Sequence, residues 1–323
     1  MTLSIEGLGT RHDAVEALRP FAPSAESEPK SELEAVLRAK GIADVMLGID
    51  DDAFQDLSDK YGTLVDQADG WIDTTAHNFD KDGVPEDGHI RKELKFNDAG
   101  MQISDPKNLF HFNNDLIAWW NQAGRRDSKA APKLLHEFMR DGIDLHGQLV
   151  SSARNLLGVL DESYPGMKDF YFPGELSHVT FRLLRYDGYD LYDENGKLVV
   201  EENAQVAKPH FDRGGVTLQA YSSAPGFWYQ DFHNRGPGRP KFYPEHGPGK
   251  SQMFFGVQHR VAYGSKDNIN DLYHGVDKIF DTSEQRMPVR TAAIAFIDTP
   301  TYDLSITSLD TQPDRADTEN LNI

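Results

Sequence analysis

Two residues able to bind a transition metal stand two positions apart in the segment AKPHFDRGG, residues 207–215. They are His210 and Asp212, which form the only His-x-Asp sequence in the chain. On a strand, residues i and i+2 point to the same face, so an imidazole nitrogen and a carboxylate oxygen would converge. The alternative is an ordinary polar pair at the edge of a strand. A metal site therefore needs a third ligand from elsewhere in the chain.

Two downstream histidines could supply that ligand: His259 in GVQHRVAYG and His274 in DLYHGVDKI. Non-haem Fe(II) oxygenases bind iron through two His and one carboxylate and leave other positions open. The chain contains no cysteine, which excludes disulfides, thiolate ligands and cysteine nucleophiles. Nitrogen and oxygen ligands suit iron, manganese or zinc. The residues by themselves do not choose between the two histidines.

A cation in an apolar segment is the next unusual feature. Arg290 opens the segment RTAAIAFID. An unpaired buried charge is costly, so such an arginine calls for an anionic partner. Beyond a third metal ligand, it could hold the carboxylate of a cosubstrate; the alternative is that it lies at the wet end of a strand.

The elements around these residues predict helices followed by a β-rich core. Helices are predicted for residues 27–41, where Ser31 and Glu34 fit a capping box and Gly41 fits the end, for residues 51–67, and for Pro132–Leu160. A strand is predicted for Ile42–Ile49, and residues 71–110 are predicted to be irregular. From Ser177 onward, short alternating segments separated by turn residues are typical of an antiparallel sandwich or barrel. These segments are HVTFRLLRYD, GKLVV, GVTLQAYS, GFWYQDF, QMFFGVQHRVAYG, LYHGVDKIF and RTAAIAFID.

The overall charge bounds the partners. The chain has 323 residues, with 52 Asp and Glu against 33 Lys and Arg, a net charge of −19. Such a field disfavours nucleic acid and anionic membrane surfaces. No apolar run of membrane-spanning length and no signal-peptide pattern is found, so a soluble cytoplasmic protein is expected. The one basic stretch, Arg235, Arg239, Lys241 and Lys250 in a Gly/Pro-rich loop, is either a solvated loop or a site for an anionic substrate.

The order RLLRYD, HFD, GVTLQAYSSAPGFWYQ, LYHGV and RTAAIAFID resembles the iron- and 2-oxoglutarate-dependent dioxygenases, specifically the isopenicillin N synthase-like branch. The resemblance is clearest from 177 to 299. It implies a mainly β fold with α-helices, in which a double-stranded β-helix (jelly roll, cupin-like) is supported by N-terminal helices. It also implies a single catalytic domain over 1–323, with a support region at 1–176, the jelly-roll core at 177–300 and a tail at 301–323.

The resemblance also assigns the site. His210 and Asp212 match the proximal iron ligands. His274 matches the distal ligand, because His259, although followed by Arg and Val as in the family, lies too far before Arg290 and is expected on the preceding strand. Arg290 and Tyr186 match residues that hold 2-oxoglutarate.

The resemblance extends to the substrate pocket and to the strand that Arg290 opens. Phe227 and Tyr229 lie where the family lines its substrate pocket, although packing within the jelly roll is the alternative. Ala292 departs from the family, which often has a serine there, so that its hydroxyl is missing.

The implied activity uses Fe(II), 2-oxoglutarate as cosubstrate and O2. Oxidative decarboxylation of 2-oxoglutarate would be coupled to hydroxylation or desaturation of a small molecule, and Asp212, where related halogenases have Gly or Ala, argues against halogenation. Two alternatives stay open: an isopenicillin N synthase-type oxidase that needs no 2-oxoglutarate, and a jelly-roll protein that binds a metal or ligand without redox chemistry. Neither nucleic acid nor membrane is expected as a partner, and the substrate and oligomeric state stay open.

Overall fold

A computed structural model describes residues 28–67, 69–80, 83, 85–92, 95–96, 102–104, 107–122, 131–173, 178–192, 194–198, 205–231, 234–245, 247, 249–263, 269–277 and 285–298. The helices are α1 Glu32–Lys40, α2 Asp51–Asp66, a 3-10 helix Trp71–Thr75, α3 Asn114–Asn121, α4 Lys133–Leu160, α5 Met167–Tyr171 and α6 Val257–Tyr263. The strands are β1 Ile42–Val45, β2 Gly88–Lys92, β3 Lys95–Phe96, β4 Gln102–Ser104, β5 Lys107–Phe112, β6 His178–Tyr186, β7 Gln205–His210, β8 Val216–Ser222, β9 Phe227–Tyr229, β10 Ser251–Phe255, β11 His274–Asp277 and β12 Arg290–Asp298.

The first helix begins and ends as its sequence predicts. The Ser31 hydroxyl accepts a hydrogen bond from the Glu34 N–H, and the Glu34 carboxylate accepts one from the Lys30 N–H. Gly41 ends α1 in the left-handed region, at a φ of 76°, which glycine adopts without a steric penalty. The strand that follows, β1, is shorter than the predicted segment.

Two antiparallel sheets form the core. The described strands give a seven-stranded sheet in the order β1-β10-β8-β12-β6-β5-β2 and a three-stranded sheet in the order β7-β11-β9. From β6 to β12 the chain alternates between the two sheets, strand by strand. This alternation is the double-stranded β-helix that the family resemblance implies, and the fold class is confirmed.

The predicted irregular region contains more structure than its composition indicates. Within residues 71–110 the chain forms β2 to β4 and most of β5, and β2 and β5 extend the large sheet beyond β6. The Asp- and Gly-rich composition of this region does not indicate strands. The strand β5 is specified by pairing with β6, about 75 residues later, rather than by a local sequence pattern. The prediction of irregular structure here was wrong.

The helices cover one face of the large sheet. On β6, Phe181 and Leu183 join the main core cluster beside α4, while Leu184 and Tyr186 face the interior between the sheets. A side chain on Gly142 of α4 would lie 2.1 Å from the Phe112 ring, so helix and sheet approach closely there. The other face of the large sheet borders the interior between the two sheets.

Some sequence-based expectations lie beyond the described ranges. The boundary between 176 and 177, the tail at 301–323 and residues 199–200 of the GKLVV segment fall outside the described residues. In the described part of that segment, Leu198 forms an isolated bridge with Tyr192. No helix within the described ranges is long and apolar enough to cross a membrane.

Candidate metal centre

Neighbouring strands bring the two predicted imidazoles together. In the small sheet, β7 and β11 are antiparallel, and His210 at the end of β7 pairs with His274 at the start of β11. Their ring centroids are 4.6 Å apart. Asp212 follows β7 by two residues, so its carboxylate returns to the same point.

The three side chains converge as a metal site requires. Asp212 Oδ1 lies 3.3 Å from His210 Nε2 and 3.7 Å from His274 Nε2. One ligand atom from each residue lies within 4.8 Å of the others. Asp212 and His274 are buried, and His210 is half-buried. The structure therefore gathers the predicted residues into a cluster of two nitrogens and one oxygen.

Backbone carbonyls fix both ring orientations. His210 Nδ1–H donates to the Lys208 carbonyl at 2.7 Å, and His274 Nδ1–H donates to the Leu272 carbonyl at 3.0 Å. A carbonyl oxygen can only accept, so each neutral ring carries its proton on Nδ1 and keeps the Nε2 lone pair free. Such hydrogen bonds are the usual supports of metal-binding histidines.

Asp212 is held by both its side chain and its backbone. Thr217 Oγ1–H donates to Asp212 Oδ2 at 2.6 Å, which leaves Oδ1 towards the imidazoles. The Asp212 carbonyl accepts from the Val257 N–H at 2.8 Å. A side chain on Gly256 would lie 2.6 Å from that carbonyl, so glycine permits the close approach.

The electrostatics suit an ionised carboxylate facing the two imidazoles. Burial alone would raise the pKa of Asp212, but the His274 and His210 imidazoles and the Thr217 hydroxyl outweigh it and hold the pKa well below its usual range. Burial lowers the pKa of His274 to about 4. Burial opposes protonation of His210, yet the Asp212 carboxylate outweighs it and raises the pKa of His210. A cation placed among these groups would meet a preformed negative charge.

His259 lies outside this cluster. The segment predicted as one strand divides into β10 and α6, and His259 lies on the helix, so its predicted strand location was wrong. The first two N–H groups of α6 bond to the carbonyls of Asp212, Arg213 and Gly214, a long-range contact that no local pattern reveals. His259 is fully buried, shares a hydrogen bond of 3.0 Å with the Tyr171 hydroxyl and stacks on that ring.

Arg290 and Tyr186 lie side by side on adjacent strands of the large sheet. They are direct partners in the β12–β6 register, and the Arg290 guanidinium lies 5.6 Å from the Tyr186 ring centroid. Both are buried; Arg290 is only 6% exposed. Its Nε is buried without a hydrogen-bond partner, and no described carboxylate forms an ion pair with it. Lys107 Nζ lies 5.5 Å from the same tyrosine ring, so this end of the interior is positively charged.

Ser222 supplies a hydroxyl near the place where Ala292 lacks one. Ser222 on β8 pairs in register with Ala292 on β12. Its hydroxyl accepts from Arg290 Nη2 at 2.8 Å and donates to the Ala224 carbonyl at 2.8 Å. It therefore orients Arg290 from the neighbouring strand.

The two candidate substrate residues pack beside the distal imidazole. The Phe227 ring centroid lies 5.5 Å from that of His274 and 5.8 Å from that of Phe254. Tyr229 pairs with His274 in register and contacts Phe242, at a centroid distance of 5.7 Å. Both residues thus support His274, and Phe227 also borders the cluster.

The basic loop does not form an anion-binding patch. Three of its residues are paired with acids: Arg235 with Asp271 at 3.5 Å, Lys241 with Asp277 at 2.6 Å and Lys250 with Glu245 at 2.6 Å. Arg235 is only 7% exposed, so it is not part of a solvated loop. The pairs with Asp271 and Asp277 fasten the loop to the small sheet and the segment before it, whereas the Lys250–Glu245 pair lies within the loop.

Sequence reasoning missed several residues of the interior. Thr217 and Ser222 lie on β8, and their roles follow from hydrogen bonds to Asp212 and Arg290, residues that are distant in the chain. Arg182 lies on β6 and shares its face with Tyr186, since residues i and i+4 of a strand point the same way. Strict alternation along β6 would have found Arg182, whereas the two hydroxyls require the tertiary structure.

Comparison with known proteins confirms the fold. No family model and no curated protein matches the chain. The dioxygenase for auxin oxidation 1 from Arabidopsis thaliana, solved as a complex with 2-oxoglutarate, matches with 12% identity and a TM-score of 0.58, over 83% of this chain and 87% of that one. A full-length protein from Neurospora crassa, solved with alpha-KG and thymine, matches with 13% identity and a TM-score of 0.58, over 87% and 85%. The rice dioxygenase for auxin oxidation matches with 14% identity and a TM-score of 0.54, over 90% and 79%. This likeness establishes that the chain has the fold of these proteins.

Proposed function

We propose that the protein is an Fe(II)/2-oxoglutarate-dependent oxygenase of the isopenicillin N synthase-like branch, acting as one catalytic domain. It couples oxidative decarboxylation of 2-oxoglutarate to hydroxylation or desaturation of a small molecule. The observation that carries the proposal is the convergence of His210, Asp212 and His274 within 4.8 Å at the interior of this fold.

The donor set fits ferrous iron. Two imidazole nitrogens and one carboxylate oxygen match the facial triad of non-haem iron oxygenases, which leaves coordination positions open. When bound, iron and O2 supply the oxidising chemistry, and the chain supplies binding, orientation and electrostatics. His210 and His274 would present Nε2, and Asp212 would present Oδ1, because the other polar atoms of all three are held by hydrogen bonds.

The interior also fits the far carboxylate of 2-oxoglutarate. Arg290 is buried with an unpartnered Nε, and guanidinium geometry suits a carboxylate. Tyr186 lies against it, and Ser222 keeps its side chain oriented. A carboxylate bound here would relieve the cost of the buried cation.

The aromatic residues around the cluster would exclude water and contact substrate. Phe227 and Phe254 pack on the His274 ring, with centroids 5.5 and 4.9 Å away. Phe227 is the first candidate for a substrate contact, and Tyr229 is the second. The Neurospora protein, solved with thymine, supports a small-molecule substrate.

The first experiment is an anaerobic titration of the protein with Fe(II) and 2-oxoglutarate. A chelated keto acid gives a weak visible charge-transfer band, which is expected for the wild-type protein. His274→Ala should lose the band and His259→Ala should keep it. A band retained by His274→Ala and lost by His259→Ala would contradict the ligand assignment.

The second experiment separates the alternatives. With O2 and a pool of small metabolites, substrate-dependent formation of succinate is expected. Oxygen consumption without succinate would favour the oxidase that needs no 2-oxoglutarate. Failure of the protein to bind Fe(II) would favour the non-redox alternative.

A further inference from the structure

A second arginine faces the interior near the metal cluster. Arg182 lies on β6, four residues before Tyr186 and on the same face, so the two Cα atoms are roughly 13 Å apart along the strand. Its register partners are His111 on β5 and Ile294 on β12. Arg182 therefore lies well away from Arg290 on the same interior face.

The guanidinium is held in one orientation by its neighbours. Arg182 Nε–H donates to His111 Nε2 at 2.8 Å, and His111 Nδ1–H donates to the Glu86 carbonyl at 3.0 Å. Burial lowers the pKa of His111 to about 3, which keeps this imidazole a neutral acceptor. The guanidinium lies 4.6 Å from the Phe296 ring centroid. Because only Nε is used, the two terminal nitrogens remain available as a fork.

That fork has no anionic partner in the described part of the chain. Phe296, on whose ring the guanidinium packs, is the register partner of Thr217, which donates to the Asp212 carboxylate, so Arg182 lies on the side of the metal cluster. Burial lowers the pKa of Arg182, and the charges of Asp212, Tyr186 and Asp298 oppose that shift. Neither carboxylate forms an ion pair with Arg182, however, and Asp212 is already committed to Thr217 and the imidazoles.

Another arginine of the same strand shows the contrast. Arg185, on the opposite face, pairs with Asp66 at 3.0 Å and with Asp187 at 2.8 Å. Arg185 thus has two carboxylate partners, as a buried or half-buried arginine with a structural role requires. Arg182 instead has an aromatic support, a neutral acceptor and an open fork beside the metal cluster.

We propose that Arg182, positioned by His111 and Phe296, binds the carboxylate of the primary substrate. The inference rests on the proposed function and deepens it, because it names the substrate class as a small carboxylic acid. The part of the substrate beyond its carboxylate is expected to be apolar, because apolar side chains lie on the same interior face. These side chains are Ile90, Leu109, Leu184, Ala292 and Ile294. The two carboxylates of cosubstrate and substrate are thereby kept at separate arginines.

Matched ligand pairs test the proposal without knowledge of the natural substrate. The probes are phenylacetate, 3-phenylpropionate and 4-phenylbutyrate, each with its primary amide. Binding is measured by anaerobic calorimetry on protein loaded with Fe(II) and 2-oxoglutarate. At least one acid should bind the wild-type protein about tenfold or more tightly than its amide, since hydrogen bonds to a charged group are strong.

The variants connect that preference to one side chain. Arg182→Met should abolish the preference for acid over amide, and Arg182→Lys should retain part of it. Arg185→Met, on the other face of the same strand, should keep the full preference. If Arg182→Met does not fold, Arg182→Gln serves for the same comparison. No preference in the wild type, or an undiminished preference in the Arg182 variant, overturns the proposal.

The affinity for 2-oxoglutarate distinguishes failure of the inference about Arg182 from failure of the proposed oxygenase function. Arg182→Met should leave that affinity within about twofold of wild type. If it instead weakens 2-oxoglutarate binding, Arg182 belongs to the cosubstrate site and the inference is wrong, while the oxygenase proposal stands. If wild-type protein binds neither Fe(II) nor 2-oxoglutarate, the oxygenase proposal fails, and acid preference is then measured on the metal-free protein.

Discussion

Replacing Arg290 by methionine should have opposite effects on cosubstrate binding and on stability. The side chain is 6% exposed, its Nε has no partner and one Nη bonds to the Ser222 hydroxyl. Methionine fills a similar length without charge. Arg290→Met therefore removes the proposed partner of 2-oxoglutarate, and it also removes a buried cation from the ligand-free protein.

The magnitudes follow from these contacts. Hydrogen bonds to charged groups contribute about 1.5–3 kcal/mol, so loss of the arginine should weaken 2-oxoglutarate binding by about 10- to 150-fold. Removal of a desolvated charge that lacks an ion-pair partner should leave the free energy of unfolding unchanged or raise it by about 1–2 kcal/mol. A purely structural arginine would give the reverse pattern.

Two measurements on the same preparations check this. The charge-transfer band gives the affinity for 2-oxoglutarate under anaerobic conditions, and urea unfolding without Fe(II) or 2-oxoglutarate gives the stability. Arg185→Met is the matched control: it should lose stability with its ion pairs to Asp66 and Asp187, yet bind 2-oxoglutarate normally. Wild-type affinity in Arg290→Met, together with a marked loss of stability, would refute the assigned role.

Three further predictions concern the supports of the fold and site. Thr217→Val removes the hydrogen bond to Asp212, the proposed carboxylate ligand, and should weaken Fe(II) binding by about 10- to 100-fold, measured by competition with a chelator. Unchanged affinity would contradict the support assigned to this hydroxyl. Gly142→Ala should lower the free energy of unfolding in urea by about 1–3 kcal/mol, because its methyl group would lie 2.1 Å from the Phe112 ring. Gly147→Ala on the same helix is the control: its methyl group would have no neighbour within 4 Å, so it should raise the free energy of unfolding by about 1 kcal/mol. Equal effects of the two substitutions would refute the close contact. Burial lowers the pKa of His259 to about 3 from an ordinary value of 6.5, so the unfolded chain binds the extra proton and stability falls as pH drops below 6.5. His259→Phe should reduce the stability lost between about pH 6.5 and 5 by about 1.5 kcal/mol in urea titrations, and an unaltered pH dependence would show that this imidazole is not buried neutral.

Local sequence patterns predict much of the secondary structure. The capping box at Ser31, the periodicity of Lys133–Leu160 and the alternation of His178–Tyr186 predict elements that the structure contains. The patterns fail where a strand or helix depends on a distant partner. Residues 71–110 look irregular because their strands are specified by the sheet edge they join, and α6 forms where a strand was predicted because its first N–H groups meet backbone carbonyls of a remote loop.

The candidate site divides in the same way. The sequence by itself identifies His210 and Asp212 as a two-residue chelating unit, because the two-residue repeat of a strand is a local property. It also marks Arg290 as a cation in an apolar segment. Its residue types alone leave His259 and His274 as equal candidates.

The family resemblance favours His274, and the tertiary structure supplies the physical reason, because the register of β7 with β11 sets His274 opposite His210. Pairing between other strands likewise brings Ser222 of β8 to Arg290 of β12 and aligns Arg182 of β6 with His111 of β5. Registers between strands far apart in the chain depend on the packing of whole faces, and a one-residue slip would turn every side chain to the other side. Local sequence encodes the periodicity of each strand, whereas the folded sheet determines which residues meet.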